Sequence, residues 1–345
     1  MKENIPSRQK PGSMPWLLQQ TPPDLPGDRP VTAKENLRRV FTGEKPFWIP
    51  VWNIDNQNVY PDVVWEHPPY DADGLDWFGT EWIMVETAGG QMPKTGTRVI
   101  SEFKNWKEDV TFPDLTKVDW EEDAKLQTSR YDPDRLHVFH TAEGLFERLH
   151  ELMPFDETLM AFYDEPELLR DWFEAMVNYK IELLGYVFKY YDPVDYIIFG
   201  DDWGTQRAGF FSNEMFRETL MPYTKRIWDW VHEQGKFVEL HSCGLTQQYI
   251  EEFLEMGLDA WTPQTNNDLD MLTAKYGNQI TLTVPIEGVE EAASEEEARR
   301  LVRAFVDKYA PRGRIVAGKL FTAPAEIADA AYDELYKYSS AFYAR

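Results

Sequence analysis

The second half of the chain alternates short apolar segments with longer amphipathic ones. Apolar segments rich in β-branched and aromatic residues predict strands at residues 195–199, 237–241, 259–262, 279–285 and 314–317. Apolar positions at helical spacing predict helices at 212–234, 245–256, 267–276, from the capping box at 294–297 onward, and at 324–343. Five successive strand–helix units require parallel strands covered by helices.

The first half is less regular, but three more apolar segments predict strands at residues 47–52, 82–85 and 136–139. A long helix is predicted at 165–190, before the fourth strand. Three and five strands make eight, so we predict an α/β protein with a (β/α)₈ TIM barrel, a single domain over residues 31–345. A doubly wound sheet is the alternative, but it usually has a glycine-rich turn after its first strand, and residues 52–55 contain no glycine.

Composition predicts the character of the N-terminal segment, the cellular location and the classes of partner that the domain does not bind. Residues 1–30 contain seven prolines and no apolar signal core, which predicts an extended arm that wraps a neighbour or the barrel, with disorder as the alternative. The absence of any apolar run of about 18 residues predicts no membrane span. A net charge of −25 argues against nucleic-acid binding. The chain has a single cysteine, Cys243, which cannot form an internal disulfide and so indicates a reducing, cytoplasmic location. A separate expectation, about assembly, is a possible homodimer.

In a TIM barrel, the catalytic residues lie at the carboxyl-terminal ends of the strands. Polar or ionisable side chains follow every predicted strand, in chain order: Asn53 and Asp55, Glu86, His140, Asp201 and Asp202, His241 and Cys243, Gln264, Glu287, and Lys319. This density exceeds what structural loops need. The predicted site is therefore the carboxyl-terminal face of the barrel.

The segment from His241 to Gly244, His-Ser-Cys-Gly, is the most specific candidate for a metal-binding site. Residues i and i+2 of an extended segment point the same way, so the imidazole and the thiol can both face the barrel mouth. Zn²⁺ accepts such a nitrogen–sulfur pair, and a catalytic zinc needs a third protein ligand. We expect this ligand to be Glu287, with Glu239 and Asp202 as the next choices. The alternative is a buried thiol beside a histidine that bonds to backbone.

Several motifs resemble the uroporphyrinogen decarboxylase superfamily. They are Lys-Glu-Asn-Leu at 34–37, Thr-Gly-Glu-Lys-Pro at 42–46, Ile-Pro-Val-Trp at 49–52, Gly-Asp-Asp-Trp-Gly-Thr-Gln at 200–206, and His-Glu-Gln-Gly-Lys at 232–236 before His-Ser-Cys-Gly. The resemblance covers about residues 31–340. It implies a (β/α)₈ barrel independently of the predicted strands.

The superfamily contains decarboxylases and also methyltransferases that supply corrinoid proteins. The decarboxylases resemble one another in an arginine-rich segment after the first strand, whereas residues 52–58 here contain no arginine. The His-x-Cys pair, Trp-Phe-Gly-Thr-Glu-Trp at 77–82 and Gly-Gly-Gln-Met at 89–92 resemble the zinc-dependent methyltransferase branch. This resemblance implies Zn²⁺, and cobalamin carried by a separate corrinoid protein.

One departure from that branch refines the expected substrate. Coenzyme M methyltransferases have a second cysteine near the end of the last strand, where this chain has Gly318 and Lys319. A histidine, cysteine and carboxylate set makes a harder Lewis acid, suited to an oxygen leaving group. We therefore expect an O-demethylase that acts on a small aromatic methyl ether.

The remaining site residues follow from this hypothesis. Substrate contacts are expected from Trp52, Asn53, Trp82, Glu86 and Gln264. Catalytic roles are expected for His140, Asp201 and Asp202, which could neutralise charge on the departing oxygen. Ordinary packing of the tryptophans and of His140, and helix capping by the aspartates, are the alternatives. A metal-free decarboxylase and a catalytically silent binding barrel are the alternative functions.

Overall fold

A computed structural model describes residues 29–68, 73–85 and 90–345. The arm predicted at residues 1–30 lies outside the described residues except for Arg29 and Pro30, and the predicted site residue Glu86 lies outside them as well. None of the described helices is both long and apolar enough to cross a membrane.

The described residues form two sheets. The strands are β1 (Asn56–Val59), β2 (Gly74–Leu75), β3 (Glu81–Val85), β4 (Gly90–Pro93), β5 (Leu136–Thr141), β6 (Tyr196–Gly200), β7 (Phe237–Ser242), β8 (Ala260–Pro263), β9 (Thr281–Val284) and β10 (Ile315–Ala317). Seven of them form a parallel sheet in the order β1-β5-β6-β7-β8-β9-β10, and β2-β3-β4 form a separate antiparallel sheet. Each parallel neighbour follows the previous one in the chain, as expected for strand–helix units.

The parallel sheet closes on itself at Val51. Val51 forms a parallel bridge with Ala317, the last residue of β10. The Trp52 N–H donates to the Ala317 carbonyl at 2.9 Å, and the Ala317 N–H donates to the Pro50 carbonyl at 2.8 Å. A turn then carries the chain from Val51 into β1, because the Asp55 N–H donates to the Val51 carbonyl at 2.9 Å. The predicted (β/α)₈ barrel is therefore confirmed, with the Val51 segment in the eighth position.

Two of the predicted barrel strands are corrected. Residues 82–85 do form a strand, but they lie in β3 of the antiparallel sheet, where Trp82 is buried and Met84 is exposed. β3 is thus only partly buried, whereas barrel strands such as β6 and β9 are buried throughout, as expected for a parallel sheet covered on both faces. Residues 47–52 contribute only the Val51 bridge. The missing barrel strand is β1, whose sequence Asn-Gln-Asn-Val lacks the apolar pattern of a buried strand.

Helices cover the outside of the barrel. The α-helices are Ala33–Thr42, Trp106–Asp109, Trp120–Thr128, Leu145–Leu152, Phe155–Asp164, Pro166–Tyr190, Asn213–Met215, Met221–Glu233, Ile250–Met256, Leu269–Tyr276, Glu295–Tyr309 and Ala325–Tyr343. The helix predicted at 212–234 is interrupted by a π-helical turn, Phe216–Leu220, and a new helix begins at Met221 with Pro222 in its first turn. Ser294 caps its helix through a bond from the Glu297 N–H at 3.3 Å.

A buried carboxylate fixes the closure of the barrel. Asp55 is fully buried and accepts hydrogen bonds from the Trp48 indole at 2.9 Å, the Val51 N–H at 2.8 Å and the Tyr336 hydroxyl at 2.7 Å. The Arg29 guanidinium lies 3.5 Å from the same carboxylate. Asp55 therefore ties the Val51 segment to the last helix, which gives this strand-end residue a structural role.

Candidate active site

The alternation of side chains along the strands determines what enters the barrel mouth. An apolar cluster inside the barrel includes Leu136 and Val138 of β5 and Tyr196 and Ile198 of β6. Continuing the same alternation brings His140 and Asp202 toward the mouth. The candidate site therefore lies directly above a packed barrel interior.

Three potential metal ligands converge at this mouth. A carboxylate oxygen of Asp202, a ring nitrogen of His241 and the Cys243 thiol all lie within 4.8 Å of one another. The Cys243 sulfur is 3.6 Å from His241 Nε2, and the Cys243 N–H donates to Asp202 Oδ1 at 2.6 Å. All three residues are half-buried, so a ligand can reach them. This is an oxygen, nitrogen and sulfur donor set of the kind that binds zinc.

Strand pairing explains why Asp202 joins the histidine and cysteine. Gly200, the last residue of β6, is paired with His241 on β7, so Asp202 leaves β6 beside the His-x-Cys segment. Gly244 has a φ of 89°, and an added Cβ would collide with the backbone of Gly204 and Thr205. Glycine at 244 thus allows the loop after β6 to lie directly on the loop after β7.

The electrostatics of the three groups fit a cation. Burial lowers the pKa of His241, although the nearby Asp202 carboxylate opposes this, so the imidazole is neutral and can ligate. Burial, together with the Asp202 charge, raises the pKa of the Cys243 thiol well above its ordinary value. A bound Zn²⁺ would supply the positive charge that a thiolate needs here. The donor chemistry therefore fits zinc.

Asp201, the neighbour of Asp202, has different contacts. It is fully buried, and its two oxygens accept from three successive backbone N–H groups: Leu145 at 2.9 Å, Phe146 at 3.2 Å and Glu147 at 2.8 Å. Burial raises the pKa of Asp201 to about 7, against the effect of these donors. Such contacts cap the start of the Leu145–Leu152 helix, so they favour a positioning role over direct catalysis.

His140 lies at the end of β5 among charged neighbours. Burial lowers its pKa to about 4, and the nearby His241 adds to this effect. At neutral pH the ring is therefore uncharged. It can donate a hydrogen bond through one ring N–H, but it cannot supply a positive charge.

Sequence reasoning missed a second acidic group beside the first. Carboxylate oxygens of Glu143, Glu147 and Glu151 lie within 4.8 Å of one another. Burial and the charges of Asp202 and Glu143 raise the pKa of Glu147 well above its usual value. The sequence signal that could have identified this group is the spacing of its three glutamates at intervals of four residues, directly after a predicted strand.

This second group is surrounded by fixed cations. Arg148 is fully buried and lies 2.6 Å from Asp76 and 3.0 Å from Glu151. Lys180 is also fully buried and lies 2.5 Å from Glu66. The protein therefore supplies its own positive charge in this part of the mouth.

The other candidate ligands lie apart from the converging set. Glu287 is exposed in the turn after β9. Glu239 lies deeper in the barrel, where its carboxylate accepts from the Thr262 hydroxyl and burial raises its pKa to about 7. Neither contributes to the three-residue groups formed by the described chain. The geometry thus favours Asp202, the last of the three choices from sequence.

The expected substrate contacts are distributed around the mouth. Trp52 is half-buried, packs on the barrel-interior cluster and has its ring centroid 6.5 Å from that of Phe321. Asn53 has a positive φ of 58° and accepts from Asn58 at 2.7 Å. Gln264 accepts from the Gly244 N–H at 2.8 Å, next to Cys243. Trp82 is buried and donates to Asp76 at 3.1 Å, so its indole N–H is engaged within the protein.

The fold and the site together define a (β/α)₈ barrel with a candidate metal centre at its mouth. The family model described as uroporphyrinogen decarboxylase (URO-D) matches residues 78–318, more than half of the chain. The chain therefore belongs to the uroporphyrinogen decarboxylase family. No curated protein sequence matches it.

Two solved structures are similar to this chain to different degrees. A methyltransferase from Methanosarcina mazei is 15% identical, with a TM-score of 0.62, over 89% of this chain and 99% of that one. A glycosylated endo-β-1,4-xylanase from Gloeophyllum trabeum is 12% identical, with a TM-score of 0.40, over 62% of this chain and 78% of that one. The first similarity supports the fold.

Proposed function

We propose that the protein is a methyltransferase that moves a methyl group from a methoxylated aromatic compound to the cob(I)alamin of a corrinoid protein. The observation that carries the proposal is the convergence of Asp202, His241 and Cys243 at an open barrel mouth. The similarity in fold to a methyltransferase and membership of the URO-D family support the same class of reaction.

The three residues would hold Zn²⁺ and leave one coordination position open toward the mouth. The zinc would act as a Lewis acid that withdraws electron density from an ether oxygen and so makes a phenolate a better leaving group. The Cys243 N–H bond to Asp202 fixes the carboxylate next to the thiol, so the ligands are held in place before the metal binds.

The departing phenolate needs a proton or a hydrogen bond. Both oxygens of Asp201 are used by the helix cap, and Asp202 is assigned to the metal, so His140 remains from the three residues predicted for this role. Its neutral ring can donate a hydrogen bond through an N–H. Glu147 adds a second candidate, because its raised pKa keeps a proton on a carboxyl group beside Asp202.

The site also argues against the decarboxylase alternative. Uroporphyrinogen carries many carboxylates, and arginines would be needed to hold them. Residues 52–58, which follow the Val51 segment, contain no arginine. An aromatic ether requires instead an apolar wall, which Trp52 and Phe321 provide.

The test is methyl transfer followed by visible absorption. Zinc-loaded protein, a methoxylated benzene derivative and cob(I)alamin should give methylcobalamin and the corresponding phenol, with loss of the cob(I)alamin spectrum. Cys243→Ser should abolish the reaction, and Trp52→Ala should raise KM more than it lowers kcat. Conversion of uroporphyrinogen to coproporphyrinogen without any corrinoid would overturn the proposal in favour of a decarboxylase.

A further inference from the structure

A cavity opens at the end of the barrel opposite the candidate metal centre. This basal cavity has a volume of about 250 Å³, and its lining includes Gly43, Lys45, Asn278, Arg314 and Tyr343. These residues come from parts of the fold that are distant in the chain: the turn after the first described helix, the turns before β9 and β10, and the end of the last helix. None of them belongs to the candidate metal centre or to the second acidic group.

Arg314 gives this cavity an unbalanced positive charge. Its side chain is half-buried, and its Nη1 donates to the Phe41 carbonyl at 3.3 Å. Each of the other arginines that the structure describes as buried or half-buried forms an ion pair with a carboxylate, as Arg312 does with Asp270 at 3.1 Å. Arg314 forms no such pair with any described residue, although the net charge of the protein is −25.

The position of Arg314 is fixed by the strands and by the turn beside it. The Arg314 N–H donates to the Gly277 carbonyl at 2.7 Å, and the Arg314 carbonyl accepts from the Leu282 N–H at 2.9 Å. Gly43 ends the first described helix with a φ of 76°, and an added Cβ there would collide with the Arg314 guanidinium. Glycine at 43 therefore allows the turn to lie directly against the guanidinium.

Two buried polar atoms of the lining residues have no hydrogen-bond partner in the described part of the chain. They are Nε of Arg314 and the hydroxyl oxygen of Tyr343, the last residue of the last helix. Lys45 is exposed at the same cavity and also forms no hydrogen bond or ion pair with a described residue. Buried polar groups are nearly always hydrogen-bonded, so a ligand gains hydrogen bonds here. Arginine and lysine only donate and a phenol can donate, so the ligand is an acceptor.

The acidic groups near the basal cavity are engaged with other partners. Glu44, which also lines it, lies 3.7 Å from Arg39. Burial lowers the pKa of Arg314 and the charge of Asp259 opposes this, but the Asp259 carboxylate accepts from the Val238 N–H at 2.8 Å. Neither carboxylate forms an ion pair with the two cations of the cavity. The local charge therefore favours an anion.

We propose that the basal cavity is a binding site for a small oxyanion, with Arg314, Lys45 and Tyr343 as donors and a phosphate group as the preferred ligand. Arginine presents a planar set of N–H donors that matches phosphate oxygens. A phosphate with two negative charges balances both cations of the cavity, whereas a carboxylate balances one.

The bound anion would connect three elements at the base of the barrel. They are the turn at Gly43, the start of β10 at Arg314 and the end of the last helix at Tyr343. Because β10 ends at Ala317, which closes the barrel by its bridge to Val51, the anion should stabilise the closed barrel. Binding here does not depend on the reaction at the mouth, since the two sites lie at opposite ends of the strands.

The experiment is calorimetric titration of the metal-free protein with inorganic phosphate, at an ionic strength held constant with sodium chloride. The wild type should bind one phosphate per chain, and acetate should bind more weakly. Arg314→Met should abolish binding, and Lys45→Met and Tyr343→Phe should each weaken it about tenfold. Glycerol phosphate is a second ligand arm. Tighter binding than inorganic phosphate would identify a phosphorylated small molecule as the ligand, and weaker binding would identify inorganic phosphate itself.

The controls match the variants in chemistry. Arg130→Met and Tyr163→Phe change exposed side chains that do not line the cavity, so both should bind phosphate like the wild type. Cys243→Ser should also bind phosphate normally, because Cys243 lies at the mouth. Phosphate should raise the Tm of the wild type above its value in sodium chloride of equal ionic strength, and should leave the Tm of Arg314→Met unchanged.

The outcomes remain decisive if Arg314→Met fails to fold. Wild-type affinity for phosphate in both Lys45→Met and Tyr343→Phe would overturn the proposal. So would the absence of phosphate binding by the wild type, since the cavity would then hold water only. Loss of binding in Cys243→Ser would place the phosphate at the mouth and overturn the basal site. Failure of methyl transfer would overturn the proposed function and leave all of these results unchanged.

Discussion

Two groups of acidic side chains lie close together at the barrel mouth, and they differ in how their charge is balanced. In the first group, Asp202 has a neutral histidine and a thiol as neighbours, and no described lysine or arginine forms an ion pair with it. In the second, Glu151 contacts the buried Arg148, and Glu143 also lies within the electrostatic influence of Lys180.

This difference determines which group can take a metal ion. Buried carboxylates need positive charge, protons or hydrogen bonds to be stable. The second group has all of these, because Arg148 and Lys180 are in place and burial keeps the pKa values of Glu147 and Glu151 high. Among the described residues, the hydrogen bonds to Asp202 in the first group come from Cys243, through its N–H and its thiol, and no fixed cation balances the charge, so a cation is expected there. Proximity of carboxylates alone does not define a metal site.

The largest effect expected from this comparison is on metal binding. Cys243→Ser and His241→Ala should each lower zinc affinity by about 100-fold or more, because each removes one of three protein ligands. Asp202→Asn should also weaken binding, whereas Glu147→Gln and Glu287→Gln should not. Metal analysis after dialysis against a graded chelator measures this ranking. If the Glu147→Gln protein lost zinc while the Asp202→Asn protein retained it, the zinc site would have to be assigned to the second group instead.

The next effect concerns the fixed cation of the second group. Arg148→Met should lower the free energy of unfolding by about 3–5 kcal/mol, since it leaves buried carboxylates without their partner. Arg226→Met is the matched control, because its pair with Glu174 is exposed and should contribute about 1 kcal/mol or less. Urea unfolding of both variants provides the measurement. Equal losses would show that the buried cation has no special role.

A third effect is the pH dependence of stability through Glu151. Burial and the Glu143 charge raise the pKa of Glu151 in the folded protein, so between its ordinary pKa and the raised value the folded state binds more protons than the unfolded state. Stability should therefore fall as pH rises through this window, by up to about 1.4 kcal/mol per pH unit.

Glu151→Gln should remove this loss, so its stability relative to the wild type should increase between pH 5.5 and pH 8. Urea unfolding at both pH values tests the prediction, with the exposed Glu167→Gln as the control. Parallel pH profiles for wild type and Glu151→Gln would contradict it.

The smallest effect separates two adjacent aspartates. Asp201→Ala should cost about 1–2 kcal/mol of stability, because it removes the cap of the helix that carries Glu147 and Glu151, and it should retain zinc. Asp202→Ala should show the reverse, with loss of zinc and little change in the stability of the metal-free protein. Thermal unfolding and metal analysis on the same samples measure both effects. Loss of zinc from Asp201→Ala, or a loss of stability in metal-free Asp202→Ala, would contradict this assignment of helix capping and metal binding.

Local patterns were sufficient for much of the fold. The strand–helix units after residue 195, the helix caps and the β7 segment that carries His241 and Cys243 all follow from periodicity and from turn residues within a few positions. The His-x-Cys pair could be recognised because two residues apart on a strand share a direction whatever the rest of the chain does. The resemblance in motifs independently gave the family, which the family match confirms.

Only the tertiary structure decided which residues meet. β6 pairs directly with β7, which brings Asp202 to His241, whereas β8 separates β9, and so Glu287, from the same histidine. Strand β1 was not predicted because three of its four residues are Asn or Gln, so its sequence has no apolar pattern. Residues 82–85 do have a strand pattern, but the pattern does not specify which sheet the strand joins. Asp201 and Asp202 are identical in type and adjacent in sequence. Their different roles depend on a helix terminus and a strand end that are distant in the chain, because convergence in space is set by strand order and packing.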